Sequence, residues 1–180
     1  MDTNARGAQD QAIRIELLLA APHHRYEGRP ADGALPLAPG EDELREQIEL
    51  RAGLGIVGDR YFGKPAHRQA SVTFFAAEAL ESVAHELGLE HLPVAATRRN
   101  IVVRGLDVDS LRGVRFSVDS GHGPVGFVAN RPANPCAWMD RELAPGVFKA
   151  MRGRGGMRCE PLTDGILRLG PAVVRLEATL

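Results

Sequence analysis

The sequence predicts one mostly β domain with inserted helices, closing as a barrel or a sandwich. Three observations carry that expectation. Short apolar segments, several of them alternating, recur along the chain and are bounded by Gly, Pro, Asn or Asp. Only residues 76–88 sustain a helical period of any length. With 180 residues, 44% hydrophobic and 25% charged, the chain is long and apolar enough for a single core.

The elements follow in order. Residues 1–11 are polar and read as a frayed tail, leaving 12–180 as the domain. Ile13, Ile15, Leu17 and Leu19 alternate as a strand. Residues 21–40 hold four prolines and three glycines and predict a long surface loop. Residues 47–52 read as a strand with Ile48 and Leu50 inward, followed by a glycine-punctuated turn from Gly53 to Arg60. After a polar, irregular stretch, residues 71–75 form a short strand. In the helix over 76–88, Leu80, Val83, Ala84 and Leu87 share one face and Gly88 caps the end. Residues 100–104, 114–118 and 124–129 are strand-like, the last two as partners. Residues 135–143 predict a short helix with Pro135 in its first turn, and 147–151 a further helical turn. Three strands, 157–162, 166–169 and 173–178, close the chain, with hairpin chemistry at Asp164-Gly165.

Composition excludes several classes. A net charge of −1 argues against nonspecific nucleic-acid binding, and no apolar run approaches a membrane span. The N-terminus lacks the apolar core of a secretory signal. Two cysteines, Cys136 and Cys159, make neither a disulfide framework nor a Cys-x-x-Cys pair, so a reducing, cytoplasmic setting is expected.

Cys136 is the residue with most chemistry to offer. In Asn134-Pro135-Cys136 it stands where a proline meets a predicted helix start, a position that favours thiolate. The alternative is an inert buried cysteine, the commonest fate of a free thiol. Cys159, in a predicted strand, reads first as a core thiol and second as a resolving partner. Downstream, Arg152, Arg154 and Arg158 interleave with Gly153, Gly155 and Gly156. That run is either a solvated basic turn or a clamp for a phosphate, because arginine gives bidentate contacts and glycine lets backbone approach. Arg98, Arg99 and Asn100 precede an apolar strand, marking its exposed end or reading an anionic, hydrogen-bonding ligand. Asp59 with Arg60 reads as a turn-holding ion pair or as part of a site with His67 and Gln69. His23 and His24 read as surface residues, and Trp138 as a pocket wall or as core.

Taken in order, Gly58-Asp59-Arg60, His67-Arg68-Gln69, Arg98-Arg99-Asn100-Ile101-Val102-Val103-Arg104-Gly105, Pro135-Cys136 and Gly153-Arg154-Gly155-Gly156 resemble the MOSC domain, the C-terminal domain of molybdenum cofactor sulfurases. The likeness spans about residues 13–177. It implies a distorted closed β-barrel beside a site for the molybdenum cofactor (molybdopterin). By resemblance, Cys136 is the catalytic cysteine and metal ligand. Arg60, His67, Arg98, Arg99, Asn100, Asn134, Arg152, Arg154, Gly155, Gly156 and Arg158 would surround the cofactor. Tyr61 stands where members often carry histidine. The chain resembles a stand-alone module, without the aminotransferase-like domain to which pyridoxal phosphate belongs. Two functions follow as expectations. One is reduction of N-hydroxylated or similar small substrates, with electrons from a separate reductase, since no flavin, haem or iron–sulfur motif is present. The other is a sulfur carrier, in which Cys136 accepts persulfide sulfur from a cysteine desulfurase.

Overall fold

The structure, a computed structural model, describes residues 10–177. Most of the expected tail, residues 1–9, lies outside the described residues, but Asp10 and Gln11 already belong to the first strand. Among the described residues, no helix is long and apolar enough to cross a membrane.

Seven strands close into a barrel. They are β1 (Asp10–Leu19), β5 (Val72–Ala76), β6 (Ile101–Arg104), β7 (Arg115–Asp119), β8 (Val125–Pro132), β9 (Met157–Pro161) and β11 (Gly170–Leu176). Around the barrel they run β11-β7-β8-β9-β5-β6-β1, and β1 returns to β11 from Asp10↔Arg175 to Ile15↔Gly170. Closure pairs the two edge strands of the barrel sheet with each other. The parallel ladder β5–β6 is bridged by α1 (Ala77–Glu86), as a parallel pair requires a crossover. β2 (Leu44–Arg45) extends the wall beside β1. A separate small sheet stacks β10 (Gly165–Arg168), β3 (Gln47–Arg51) and β4 (Gly55–Ile56).

The strand sequences explain the two cores. Inside the barrel, Phe74, Phe116 and Phe127 meet ring to ring with centroids 4.9–5.5 Å apart. The run Val72–Ala76 is apolar almost throughout because both its faces are covered, Phe74 facing the barrel and Phe75 the helices. The outer core joins Phe75, Leu80, Val83 and Val102 to Trp138 of α2 (Trp138–Glu142) and Val147 of α3 (Val147–Ala150). Helix α1 ends as expected: Gly88 takes φ +67°, and the Leu89 amide donates to the Ala84 carbonyl at 2.9 Å.

The 21–40 loop is pinned at both halves. Tyr26 stacks on Trp138 at 5.1 Å and donates its hydroxyl to the Ala96 carbonyl at 2.5 Å. Burial pushes the Tyr26 phenol up to about 12. The Ala34 amide donates to Glu142 Oε1 at 3.1 Å.

Two local expectations are corrected. The Asp164-Gly165 hairpin does not form, because Asp164 is captured by the neighbouring sheet. It accepts from the Ala52 amide at 2.8 Å and from Arg51 Nη1 at 3.0 Å, and β10 pairs with β3 instead of folding back on β9. The helix expected over 135–143 begins at Trp138 and runs five residues, so Cys136 sits in the preceding turn rather than on a helix N-terminus.

Candidate functional site

The candidate residues fall around the entry to β6, and only some of them come together. The tripeptide Arg98-Arg99-Asn100 organises them, each side chain reaching a different loop.

Arg98 adopts φ +55°, the one non-glycine residue with positive φ among the described residues. Its guanidinium forks onto Glu43 at 2.8 and 3.0 Å and lies over the Tyr26 ring at 5.1 Å. Burial pushes the Glu43 carboxyl up, but the hydrogen bonds and charge of Arg98, with those of Arg25, outweigh it and hold the group below its usual range. Arg98 is therefore spent on Glu43 rather than offered to a ligand.

Asn100 is spent as well. Its Oδ1 accepts from the Thr73 amide at 3.0 Å and hydroxyl at 2.8 Å, and its Nδ2 donates to the Leu19 carbonyl at 3.0 Å and Asp59 Oδ2 at 3.2 Å. Asp59, itself buried, also accepts the Ala21 and Tyr61 amides at 3.1 and 3.0 Å. Asp59 and Asn100 thus fasten the Gly58–Tyr61 turn to the barrel wall.

Arg99 supports the cysteine loop. Its Nε donates to the Gly155 carbonyl at 2.9 Å and its Nη2 to the Ala133 carbonyl at 2.6 Å. Burial first, and the nearby Arg158 charge second, push its pKa down to about 10, against the opposing pull of Cys136 and Asp109. Gly155 and Gly156 are required by packing. A Cβ on Gly155 would stand 2.4 Å from the Ala133 carbonyl, and one on Gly156 2.1 Å from that of Phe74. Asp109 completes the join by accepting the Gly156 amide at 2.9 Å. Sequence reasoning did not single out Asp109, and nothing in its local pattern marks it.

Cys136 is exposed at the tip of this joined loop, with Asn134 exposed beside it. Cys159 points into the barrel core, where burial raises its thiol pKa well above the ordinary value. Its expected minority role as resolving partner is therefore out of reach.

On the other side, Arg60 and His67 present polar atoms without protein partners. Arg60 Nε and Nη1 and His67 Nδ1 are buried yet make no hydrogen bond among the described residues. Arg60 lies over the Tyr61 ring at 4.6 Å, and Tyr61 packs on His67 at 4.4 Å. Asp59 Oδ2 approaches Arg60 Nη1 only to 3.8 Å. His24 stands near the same cations: partial burial, then the Arg60 and Arg98 charges, lower its pKa.

The glycine-arginine run divides. Arg154 turns away to α1, forking onto Glu86 at 2.7 and 2.6 Å. Arg152 is exposed and lies over Phe148 at 5.0 Å. Only Arg158 stays with the site, on β9 opposite Thr73 of β5. The phosphate clamp expected of all three arginines is therefore not assembled. Cavities of about 470 and 670 Å³ lie beside α1 and along β1, β7 and β11, and neither is lined by any of these residues.

A family profile described as the MOSC domain matches residues 57–174, a span holding both Arg60 and Cys136. The chain belongs to the MOSC domain family. The match begins beside the turn that Asp59 and Asn100 anchor and ends in the last barrel strand, taking in the other six barrel strands but not β1. Among solved structures, YuaD from Bacillus subtilis superposes with a TM-score of 0.70 at 16% identity, covering 96% of this chain and 100% of that one. YiiM from Escherichia coli gives 0.56 at 15% identity over 93% of this chain and 71% of its own. YiiM from Geobacillus stearothermophilus gives 0.50 at 19% identity, over 60% and 55%. At these identities the likeness bears on the fold alone. No curated protein matches the chain.

Proposed function

We propose that this MOSC domain binds the molybdenum cofactor, with Cys136 as its protein ligand, and reduces N-hydroxylated or related small substrates using electrons from a separate reductase. The observation that supports the reading is that the chain carries an exposed thiol as well as buried nitrogens that lack hydrogen-bond partners among the described residues. Arg60 Nε, Arg60 Nη1 and His67 Nδ1 are buried without a hydrogen bond among the described residues, which is costly unless a polar or anionic group completes them. A phosphate or a pterin edge is such a group, and a thiolate suits a soft metal–sulfur centre. Among the described residues, no group of three or more His, Cys, Asp or Glu is placed to hold a metal ion, so a metal here rests on Cys136 and on the cofactor's own ligands.

The residues that would hold the cofactor are Cys136, Arg60, His67 and the exposed Asn134, with the buried Arg99 supporting the loop beneath them. When bound, it supplies a centre for two-electron redox chemistry. The protein's part is to fix the thiol, keep the loop from collapsing and present positive charge. Arg99, Gly155 and Asp109 perform the second task, and the low Arg99 pKa still leaves it charged at neutral pH. Arg98, Asn100 and Arg154 are left out of this set because their hydrogen bonds are already used within the protein.

The second reading, a sulfur carrier, is favoured by one feature. Cys136 is exposed, with no resolving thiol beside it, as acceptance and release of persulfide sulfur require. Wild type and Cys136→Ala, purified from a cofactor-producing host, separate the two. Molybdenum and pterin in the wild type, with metal lost in the variant, support the oxidoreductase. Absence of both from the wild type removes that reading. One added sulfur on Cys136 after incubation with a cysteine desulfurase and cysteine then supports the carrier.

A further inference from the structure

Arg131 was not among the residues that sequence reasoning singled out. It lies directly across the β8–β9 ladder from Arg158, at the bulge where the register shifts between Ala129 and Arg131. Arg131 is exposed and Arg158 partly exposed. Like charges facing each other across a ladder are destabilising. A carboxylate between them would remove that cost, but neither arginine makes a salt bridge or a side-chain hydrogen bond among the described residues.

The neighbouring acids are committed elsewhere. Glu160 pairs with Arg68 at 2.9 Å. Asp59 takes the Asn100 side chain and two backbone amides. Asp109 takes the Gly156 amide and Asp140 the Phe148 amide, at 2.9 and 2.6 Å. The pair also stands beside the cysteine loop. The residue after β8, Ala133, donates to the Gly156 carbonyl at 2.7 Å, just before β9 begins, and Cys136 follows three residues on. Arg158 and Cys136 both act on the charge of Arg99, which ties the three to one locality.

We propose that Arg131 and Arg158 form a binding subsite for the anionic group, carboxylate or phosphate, of the small molecule on which Cys136 acts. The inference rests on Cys136 being the working thiol. It adds to the N-hydroxylated substrate class a carboxylate or phosphate carried on the same small molecule. Two guanidiniums from facing ladder positions can each offer paired N–H donors to such a group, and the anion relieves their mutual repulsion.

Charge-matched alkylation tests this on cofactor-free protein. Rates of Cys136 modification are measured with iodoacetate and iodoacetamide, with Cys136→Ala confirming the site. The wild-type protein is expected to favour iodoacetate, relative to free glutathione, and inorganic phosphate to suppress that preference. Arg131→Gln and Arg158→Gln are each expected to cut the preference roughly fivefold, about one screened charge contact, without lowering thermal stability. An unchanged preference in the double variant overturns the proposal, as does a drop in its Tm, which would make the arginines structural. The double variant is also purified from a cofactor-producing host. Pterin content equal to wild type supports a substrate subsite, whereas its loss assigns the pair to the cofactor's phosphate and overturns the proposal. Absence of pterin from the wild type would defeat the cofactor reading while leaving the alkylation result standing.

Discussion

Arg99 binds Gly155 through a 2.9 Å hydrogen bond from Nε to the glycine carbonyl, and the same guanidinium holds Ala133, so one buried side chain locks the glycine loop to the cysteine loop. Lysine has a single ammonium and no planar fork, so it cannot serve both carbonyls in this geometry. Arg99→Lys is expected to lower stability by about 2 kcal/mol in urea unfolding. It should also shorten the lifetime of Cys136 protection from alkylation when the cofactor is bound.

Gly156→Ala is expected to be among the most damaging single changes. Its φ is +85° and a Cβ would meet the Phe74 carbonyl at 2.1 Å, so the backbone itself must move. A loss of at least about 3 kcal/mol follows from combined strain and overpacking. Thermal unfolding of the soluble fraction measures it.

Arg154→Ala should do little. Its partner Glu86 is exposed and the pair lies on the surface beside α1, so the cost is within about 1 kcal/mol. Cofactor content is expected to match wild type, measured as pterin released per protein. A loss would return Arg154 to the binding set.

The Glu43–Arg98 pair predicts a pH dependence. The folded-state pKa of Glu43 lies below the ordinary value, so the unfolded chain binds the proton more readily. The pair's contribution is therefore present above the unfolded glutamate pKa, about 4.3, and is lost as pH falls through the folded value. Glu43→Gln should cost about 3 kcal/mol near neutrality, because it strands a buried guanidinium. The difference between variant and wild type should shrink below about pH 4 in denaturant titrations across pH.

Much of the fold was legible because local pattern and tertiary role agree. The alternation of Ile13, Ile15, Leu17 and Leu19 set the inward face of β1 only as far as Ile15, because the register shifts there and Leu18 rather than Leu17 joins the barrel core, while the period of Leu80, Val83 and Ala84 set the buried face of α1. Where they disagreed, long-range partners prevailed. Asp164-Gly165 has the chemistry of a tight hairpin, yet a backbone amide and an arginine over a hundred residues upstream took the aspartate. The helix over 135–143 contracted to Trp138–Glu142, and Pro135 before it packs beside Gly155 of the glycine loop, a neighbour twenty residues on.

The candidate site divides in the same way. The amino-acid sequence by itself determined the type of residue available: one thiol beside a proline, clustered arginines and glycines, and the ordered motifs of the MOSC domain. Only the tertiary structure decided which of these are free. Arg98, Arg99 and Arg154 were indistinguishable from Arg60 and Arg158 as residue types, but Glu43, the Gly155 carbonyl and Glu86 claim the first three, as Asp59 and Thr73 claim Asn100. A charged or amide side chain is fixed by whichever partner folding brings within hydrogen-bond distance. Those partners lie between 27 and 68 residues away in the chain, beyond the range of any local pattern.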